Sequence, residues 1–302
     1  MRVEFKRILC GTDLSDNSNP AIVYGIALAR EFQGVLTICH VVDMPVPSMY
    51  GEAYIEPKDH LERSEAYARE RIQEIMAGQN IQWEIEIAVG NPADELGRIA
   101  REREADVALA ATRGRRGLKR LLIGSVTERL IQTLPCPLLV VRGHQPTQAL
   151  PLDGELRFRR LLVGCDFSPD ADLALKHALS LAQEFEAELH LAHVIEPPTY
   201  LDLVKSEDSF GSEIRKDIQQ LLKEKLGSQV PSEARNWCDP KTVLLEGRPE
   251  DELIRYAEAN GIDLIILGVR GHGLIGSLFV GSTTDRIVRN AGCPVLAVCK
   301  KS

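Results

Sequence analysis

The chain has 302 residues, 44% of them hydrophobic and 26% charged, so it is long enough for about two globular domains of ~150 residues, each with its own core. Acidic side chains outnumber basic ones by 44 to 36, and the resulting net charge of −8 argues against general nucleic-acid binding. No apolar run approaches the ~20 residues of a membrane span, and the N-terminus carries charges where a signal peptide needs an apolar stretch, so we expect a cytoplasmic protein without a membrane partner.

The first copy of an internal repeat begins with a predicted strand, RILCGTD, at Arg7, and a following helix. This stretch aligns with RLLVGCD and its helix from Arg160 onward, and a second block aligns Gly90 with Gly247 and continues to the last strands, CPLLVV and CPVLAV. Chance does not produce so many matches, so we expect two copies of one domain, 1–143 and 156–302. The polar stretch Gly143–Glu155, rich in Pro and Gly, is the predicted linker.

Each copy alternates predicted strands and helices. In the second copy, RLLVGCD is followed by the helix PDADLALKHALSLAQEF, the strand AELHLAHVI and a helix from Leu203 to Leu226. The strand KTVLLEG, the helix PEDELIRYAEANG and the strand IDLIILGV come next, with Pro249 in the first turn of that helix and Gly261 past its end. The helix STTDRIVRNAG and the strand CPVLAVCK complete the copy. Uniformly apolar strands joined through helices predict an α/β protein with two tandem doubly wound sheets of five parallel strands.

Cysteine and histidine patterns give no sign of a disulfide framework or a metal site. The seven cysteines form no CxxC pair, and most lie in apolar runs where a reduced thiol packs as a small hydrophobic group. His190 and His193 are three residues apart on a predicted strand and therefore point to opposite faces, which disfavours zinc. We expect free cysteines and no metal held by the protein alone.

Two loops are expected at the ligand-binding edge of each sheet, because a doubly wound sheet binds ligands beyond the carboxyl ends of its strands where the strand order reverses. The first loop follows the first strand and carries Asp13 in one copy and Asp166 in the other. The second follows the fourth strand and reads GVRGHGLIGSLFVGSTT in the second copy. Its glycines allow close approach of main chain to a phosphate, and the amides of Ser282 and Thr283 open the next helix at its positive end.

The spacing of Gly268, Gly271 and the pair Gly281-Ser282 resembles the nucleotide signature of the universal stress protein family, in its ATP-binding branch. The resemblance covers nearly the whole chain, twice, and implies Rossmann-like domains of the adenine nucleotide alpha hydrolase-like type. It also implies that Asp166 contacts adenosine and that the main chain of Val194 reads the adenine edge. The glycine loop with Ser282 and Thr283 would then hold the phosphates of ATP or AMP, with Mg²⁺ as a candidate companion.

The candidate ligand-binding residues follow from this resemblance. In the second copy they are Gly164, Cys165, Asp166, Val194, Leu267, Gly268, Gly271, His272, Gly273, Gly281, Ser282 and Thr283. In the first copy the candidates are Thr12, Asp13, Val41, Gly114, Gly124, Ser125 and Val126. The first copy departs from the pattern at Ala111, whose methyl group either blocks ribose or phosphate or is harmless if the local φ is negative. Its loop also carries arginines and lysines from Arg113 to Arg120, which either attract an anionic partner or form a solvated basic loop.

Several alternatives stay open from the sequence. Asp13 and Asp166 either bind Mg²⁺ or cap the following helix, Ser282 is either a phosphate donor or only a helix N-cap, and His272 either touches phosphate or is an exposed loop residue. The match of Gly271–Gly276 to GxGxxG is disfavoured as a dinucleotide fingerprint because it follows the fourth strand rather than the first.

The sequence shows no recognisable group of catalytic residues and no Walker lysine, so it favours a binding protein with no catalytic residues. The alternatives are a nucleotide-independent interaction or scaffold protein, acting on an unidentified protein partner, and a slow ATPase. In the family the last strands of two domains commonly pair, which implies an internal pseudo-dimer, and a homodimer is a further candidate.

Overall fold

A computed structural model describes residues 3–43, 57–112, 124–142, 156–196, 209–238, 240–270 and 281–299. The chain divides into two compact units, one made mainly of Glu4–Pro146 and the other mainly of Arg157–Lys300. The predicted linker, 143–155, lies outside the described residues. Within the described ranges, no helix has both the length and the apolar character needed to cross a membrane.

In the residues that the structure describes, the first unit is a five-stranded parallel sheet with four helices. Its sheet has the order β3-β2-β1-β4-β5, and every neighbouring pair is parallel. The elements in chain order are β1 (Arg7–Thr12), α1 (Asn19–Glu31), β2 (Val35–Val42), α2 (Pro57–Met76), β3 (Gln82–Val89), α3 (Pro92–Glu102), β4 (Val107–Thr112), α4 (Ser125–Thr133) and β5 (Leu138–Arg142).

The second unit repeats this topology, with the order β8-β7-β6-β9-β10 and parallel pairing throughout. Its elements are β6 (Arg160–Gly164), α5 (Pro169–Glu184), β7 (Glu188–Ile195), α6 (Ser209–Ser228), β8 (Lys241–Glu246), α7 (Pro249–Asn260), β9 (Leu264–Gly268), α8 (Ser282–Asn290) and β10 (Val295–Val298). A 3₁₀ turn at Ser232–Asn236 was not predicted from the sequence. The tandem doubly wound α/β fold is confirmed. The described part of α6 ends at Ser228 rather than at Leu226, and 203–208 of its predicted start lie outside the described residues.

Burial on both faces explains why the central strands are apolar without alternation. Leu161, Leu162 and Val163 of β6 are each 0% exposed, because helices cover the sheet on both sides as in other parallel α/β sheets. Helix ends follow local chemistry: α7 has Pro249 in its first turn and Gly261 at its C-cap with a left-handed φ of 59°. Both predicted ends of that helix are confirmed.

None of the seven cysteines, all of which the structure describes, forms a disulfide, and five of them are buried: Cys10, Cys39, Cys136, Cys165 and Cys299. Burial raises the pKa of the Cys39 thiol to about 12 and raises that of Cys10 further still. These two side chains therefore pack as neutral hydrophobic groups in the core of the first unit.

Candidate functional site

The strand order of the second unit reverses between β6 and its neighbours, since β6 pairs with β7 on one side and with β9 on the other. A cavity of about 570 Å³ lies at the carboxyl ends of these three strands. Asp166 follows β6 at its wall, Val194 comes from β7, and Leu267 and Gly268 come from the end of β9. The start of α8 completes the wall with Gly281, Ser282 and Thr283.

The structure brings together most of the second copy's sequence-predicted residues around this cavity. Its lining includes Gly164, Cys165, Asp166, Val194, Leu267, Gly268, Gly281, Ser282 and Thr283. The other three candidates, Gly271, His272 and Gly273, lie outside the described residues. Sequence reasoning missed Ser168, Ala171, Ala192, His193, Glu196, Pro249, Leu253, Arg270 and Thr284. Pro249 and Leu253 could have been found from the sequence. They lie near the start of the helix that follows β8, and this start lies at the same edge of the sheet.

The Asp166 loop is a tight turn held by its own side chain. Oδ1 of Asp166 accepts a hydrogen bond of 3.0 Å from the amide of Ser168, and Phe167 between them has a left-handed φ of 61°. Asp13 makes the same bond to the amide of Ser15, also 3.0 Å. Ser168, not Asp166, is the N-cap of α5, since its hydroxyl oxygen accepts from the amide of Ala171 at 3.2 Å. The alternative in which Asp166 itself caps the helix is therefore wrong.

The unusual backbone of Phe167 is supported by its side chain. Nζ of Lys225 lies 4.0 Å from the centre of the ring, and the imidazole of His193 lies 4.7 Å away on centroids. His193 Nδ1 donates to the carbonyl oxygen of Cys165 at 2.7 Å, because a carbonyl can only accept. These contacts fix the loop between β6 and α5, and with it Asp166, at the cavity wall.

The start of α8 presents a helix N-terminus to the cavity. Gly281 is the N-cap and Ser282 the first helical residue, so the alternative of Ser282 as the cap is wrong. The amide of Gly281 donates to the carbonyl of Val269 at 2.8 Å, and Thr284 Oγ1 donates to the carbonyl of Gly268 at 2.8 Å. These bonds anchor the helix start to the end of β9. The amides of Ser282 and Thr283 have no acceptor within their own helix, which leaves the positive end of the helix suited to an anion.

Gly268 has a packing role that the sequence did not indicate. A Cβ atom there would lie 2.7 Å from the carbonyl carbon of Asp170, 2.8 Å from the Asp170 Cβ and 2.9 Å from the amide nitrogen of Ala171. The space above Gly268 is thus occupied by the first turn of α5. A side chain at this position would displace main chain rather than a flexible side chain.

The first copy differs at the position equivalent to Gly268 and at the start of the helix that follows its first strand. Ala111 pairs with Val141 in the last strand of its sheet as Gly268 pairs with Val298, so the two occupy equivalent positions. Ala111 lies in β4 and is not among the described residues with positive φ, so its methyl group causes no backbone strain. However, α1 begins at Asn19, about one turn later than α5, whose first residue aligns with Asp16.

The first copy's remaining candidates lie at equivalent ends of its elements. Thr12 ends β1, Val41 lies near the end of β2, Gly124 is the N-cap of α4, and Ser125 and Val126 open that helix. Asp13 follows β1. Gly114 and the basic stretch 113–120 lie outside the described residues.

Charges at the cavity are mixed. Asp166 and Glu196 are its acidic lining residues, and Arg270 is the one arginine or lysine among the lining residues that the structure describes. Burial raises the pKa of the Cys165 thiol, so this lining residue is protonated at neutral pH and a poor nucleophile. Among the described residues, no group of His, Cys, Asp and Glu is arranged to hold a metal ion. The arrangement suits binding of a small anion-bearing ligand more than covalent chemistry.

Comparisons with known proteins agree with this fold. A universal stress protein of Methanocaldococcus jannaschii is 30% identical over 151 residues, covering 49% of this chain and 86% of the relative. A universal stress protein of Mycobacterium bovis is 24% identical over 304 aligned positions, covering 96% of this chain and 95% of that protein. The crystal structure of a universal stress protein from Archaeoglobus fulgidus superposes with a TM-score of 0.71 at 20% identity and covers 99% of both chains.

The model of the universal stress protein family matches the chain twice, at residues 4–142 and at residues 157–298. Together the two matches cover nearly all of both units, and the full-length relative shows that tandem members of this length exist. The chain therefore belongs to the universal stress protein family, as a tandem member with two copies of the family domain.

Proposed function

We propose that the second copy binds an adenine nucleotide, ATP or AMP, as a regulatory ligand of a cytoplasmic stress-response protein. The observation that carries this proposal is the cavity of about 570 Å³ in which Asp166 and Val194 line one wall and the N-terminus of α8 lines another. Its volume lies in the range of about 300–1,000 Å³ that is usual for small-molecule sites. A site with an acidic side chain at one end and free helix amides at the other matches a nucleoside joined to phosphate.

The proposed orientation follows from the polarity of the walls. The adenosine lies against Val194 and Asp166, whose carboxylate accepts from ribose hydroxyls. The phosphates lie toward Ser282, Thr283 and Arg270, where donors and positive charge are concentrated. In the alternative in which Asp166 binds Mg²⁺, its carboxylate would hold the ion together with the phosphates instead of accepting from ribose hydroxyls.

We further propose that the first copy binds nucleotide weakly or not at all. This proposal rests on Ala111 and on the later start of α1, which change the equivalent of the phosphate side of the cavity. Ala111→Gly is its test: a gain of a second equivalent of bound nucleotide per chain supports the methyl group as the obstacle. An unchanged stoichiometry contradicts that role and directs attention to the basic stretch 113–120.

Hydrolysis, if present, is expected to be slow. The described lining residues include no lysine to grip the β- and γ-phosphates. A turnover assay with and without Mg²⁺ distinguishes a regulatory ligand from a substrate. A turnover number within the usual enzyme range would contradict a purely regulatory role.

The test of nucleotide binding has two steps. Mass spectrometry of small molecules released from the denatured, purified protein identifies any ligand that copurifies. Calorimetry of the ligand-free protein with ATP, AMP and cyclic AMP then gives affinity and stoichiometry. We expect one high-affinity site per chain. A folded protein that binds none of these nucleotides would contradict the proposal and favour a nucleotide-independent interaction protein.

A further inference from the structure

We propose that Asp170 is a positioning residue for the phosphate side of the cavity and acts through the main chain of Arg270, an inference that rests on the proposed nucleotide function. Arg270 lines the cavity two residues after the end of β9 and immediately precedes the glycine-rich stretch 271–280. Its amide donates to Oδ2 of Asp170 at 3.1 Å, and its carbonyl oxygen accepts from the hydroxyl of Ser168 at 3.3 Å. Both main-chain polar groups of Arg270 are thus held by side chains at the start of α5.

This clamp requires the glycine at position 268. The Asp170 main chain can approach β9 only because Gly268 has no Cβ. A Cβ atom added there would lie within 2.9 Å of three atoms of Asp170 and Ala171. With that turn in place, Ser168 both caps the helix through the amide of Ala171 and reaches the carbonyl of Arg270. Gly268 therefore acts on the site through α5, in addition to any direct contact of its own with a ligand.

The first copy has neither this glycine nor the same helix start. Ala111 takes the position of Gly268, and α1 begins only at Asn19, so the residues aligned with the first turn of α5 are not helical. Ser15, the counterpart of Ser168, directs its hydroxyl to Oδ1 of Asp13 at 2.5 Å instead. The counterpart of Asp170 is an asparagine, Asn17, which carries no charge.

Whether loss of the Asp170 carboxylate weakens or tightens nucleotide binding distinguishes a positioning role from simple charge repulsion. A carboxylate beside a bound phosphate repels it, so simple charge removal would tighten nucleotide binding. The clamp predicts the opposite, because an Arg270 main chain without its acceptor loses its fixed place at the cavity wall. Asp172 provides a matched control: it is an exposed acid in the same first turn, and its removal changes the charge of the helix start equally.

The experiment is calorimetry of the full chain with ATP, AMP and adenosine. Asp170→Ala is expected to weaken ATP and AMP about tenfold and adenosine less than about twofold, because the clamp lies on the phosphate side. Asp170→Asn keeps an acceptor oxygen, so it and Asp172→Ala are expected to stay within about twofold of the unmodified protein. The thermal unfolding transition of each variant verifies that it is folded.

A double-mutant cycle with Arg270→Gln tests the route of the effect. If the clamp on the Arg270 main chain acts by placing the Arg270 guanidinium at the phosphates, the double variant binds ATP about as weakly as Arg270→Gln alone, whereas independent effects would multiply. Unchanged ATP affinity in Asp170→Ala, equal weakening of adenosine, or multiplying effects in the cycle would each overturn the inference. An unmodified protein that binds no nucleotide would instead overturn the proposed function and this inference with it.

Discussion

Tyr256 of α7 donates a hydrogen bond of 2.7 Å to Nδ1 of His190, whose side chain is buried in β7. The imidazole Nε2 in turn donates to Oε1 of Glu188 at 2.8 Å, because a carboxylate only accepts. Nδ1 must therefore be the acceptor, and the neutral imidazole satisfies both partners. In the first copy the aligned residues are Val35 and Thr37, so this polar network belongs to the second copy.

The stability of the second unit should fall on mild acidification because of His190. Burial lowers the pKa of His190 below its ordinary value of 6.5, and Lys241 and Arg160 lower it further, against the opposing effect of Glu188. The unfolded chain then binds the proton more readily than the folded one, so the stabilisation is complete above about pH 6.5 and is lost as the pH falls through the folded pKa. Urea unfolding of wild type between about pH 7.5 and 5 is expected to show this loss.

His190→Gln is the variant that isolates this effect. A glutamine keeps hydrogen-bonding groups in the buried position but does not titrate, so its unfolding free energy should be flatter across the same pH range. The pH range of the experiment stays above about pH 5 because the pKa of Glu188 is also lowered, chiefly by the ammonium group of Lys241. Protonation of Glu188 at lower pH therefore reduces the unfolding free energy as well, and would mask the effect of His190. If the unfolding free energy of the wild type changes with pH no more steeply than that of the variant, His190 is not the group responsible for the loss of stability.

Gly268→Ala should destabilise the second unit. The new methyl group would lie 2.7 Å from the carbonyl carbon of Asp170, so the start of α5 must move, at a cost of about 1–3 kcal/mol in the free energy of unfolding. Gly292→Ala is the matched control, because a Cβ there meets no atom within 4 Å. Chemical denaturation of both variants measures the difference. Equal stability of the two would show that the first turn of α5 yields without cost.

How far the sequence predicts this molecule depends on whether a feature is local. Uniformly apolar strands, Pro249 at a helix start and Gly261 at a helix end are local signals, and each predicted the correct element. The rule that ligands bind where strand order reverses also predicted that Asp166 and Gly268 lie at one edge of the sheet, and the family resemblance added Val194; all three line the same cavity. What the sequence did not predict is tertiary: the approach of α5 to Gly268 and the later start of α1 depend on the distance between a helix and a strand that are far apart in the chain.

Asp166→Asn should weaken nucleotide binding without disturbing the fold. The asparagine oxygen can still accept from the amide of Ser168, so the turn around Phe167 remains while the negative charge is lost. If the carboxylate meets ribose hydroxyls or Mg²⁺, affinity for ATP should fall about tenfold, since a hydrogen bond to a charged group contributes ~1–1.5 kcal/mol more than one to a neutral group.

Asp13→Asn is the control for this substitution, because Asp13 makes the same turn in the first copy. It is expected to leave ATP affinity unchanged if the second copy holds the ligand. Calorimetry of both variants gives the comparison. A loss of affinity in Asp13→Asn that equals the loss in Asp166→Asn would assign binding to both copies alike.

Cys165 should respond to nucleotide in a way that the other buried thiols do not. Its side chain is 6% exposed and lines the cavity, and burial raises its pKa, so the native protein should alkylate it far more slowly than the partly exposed Cys238 and Cys293. Bound ATP covers the cavity and should slow alkylation of Cys165 further, while the rate at Cys238 stays constant. Peptide mass spectrometry after timed treatment with N-ethylmaleimide measures each site separately. Cys39 is the matched buried control from the first copy, and a slowing by ATP that is equal at Cys39 and Cys165 would indicate general stabilisation of the fold rather than a ligand at this cavity.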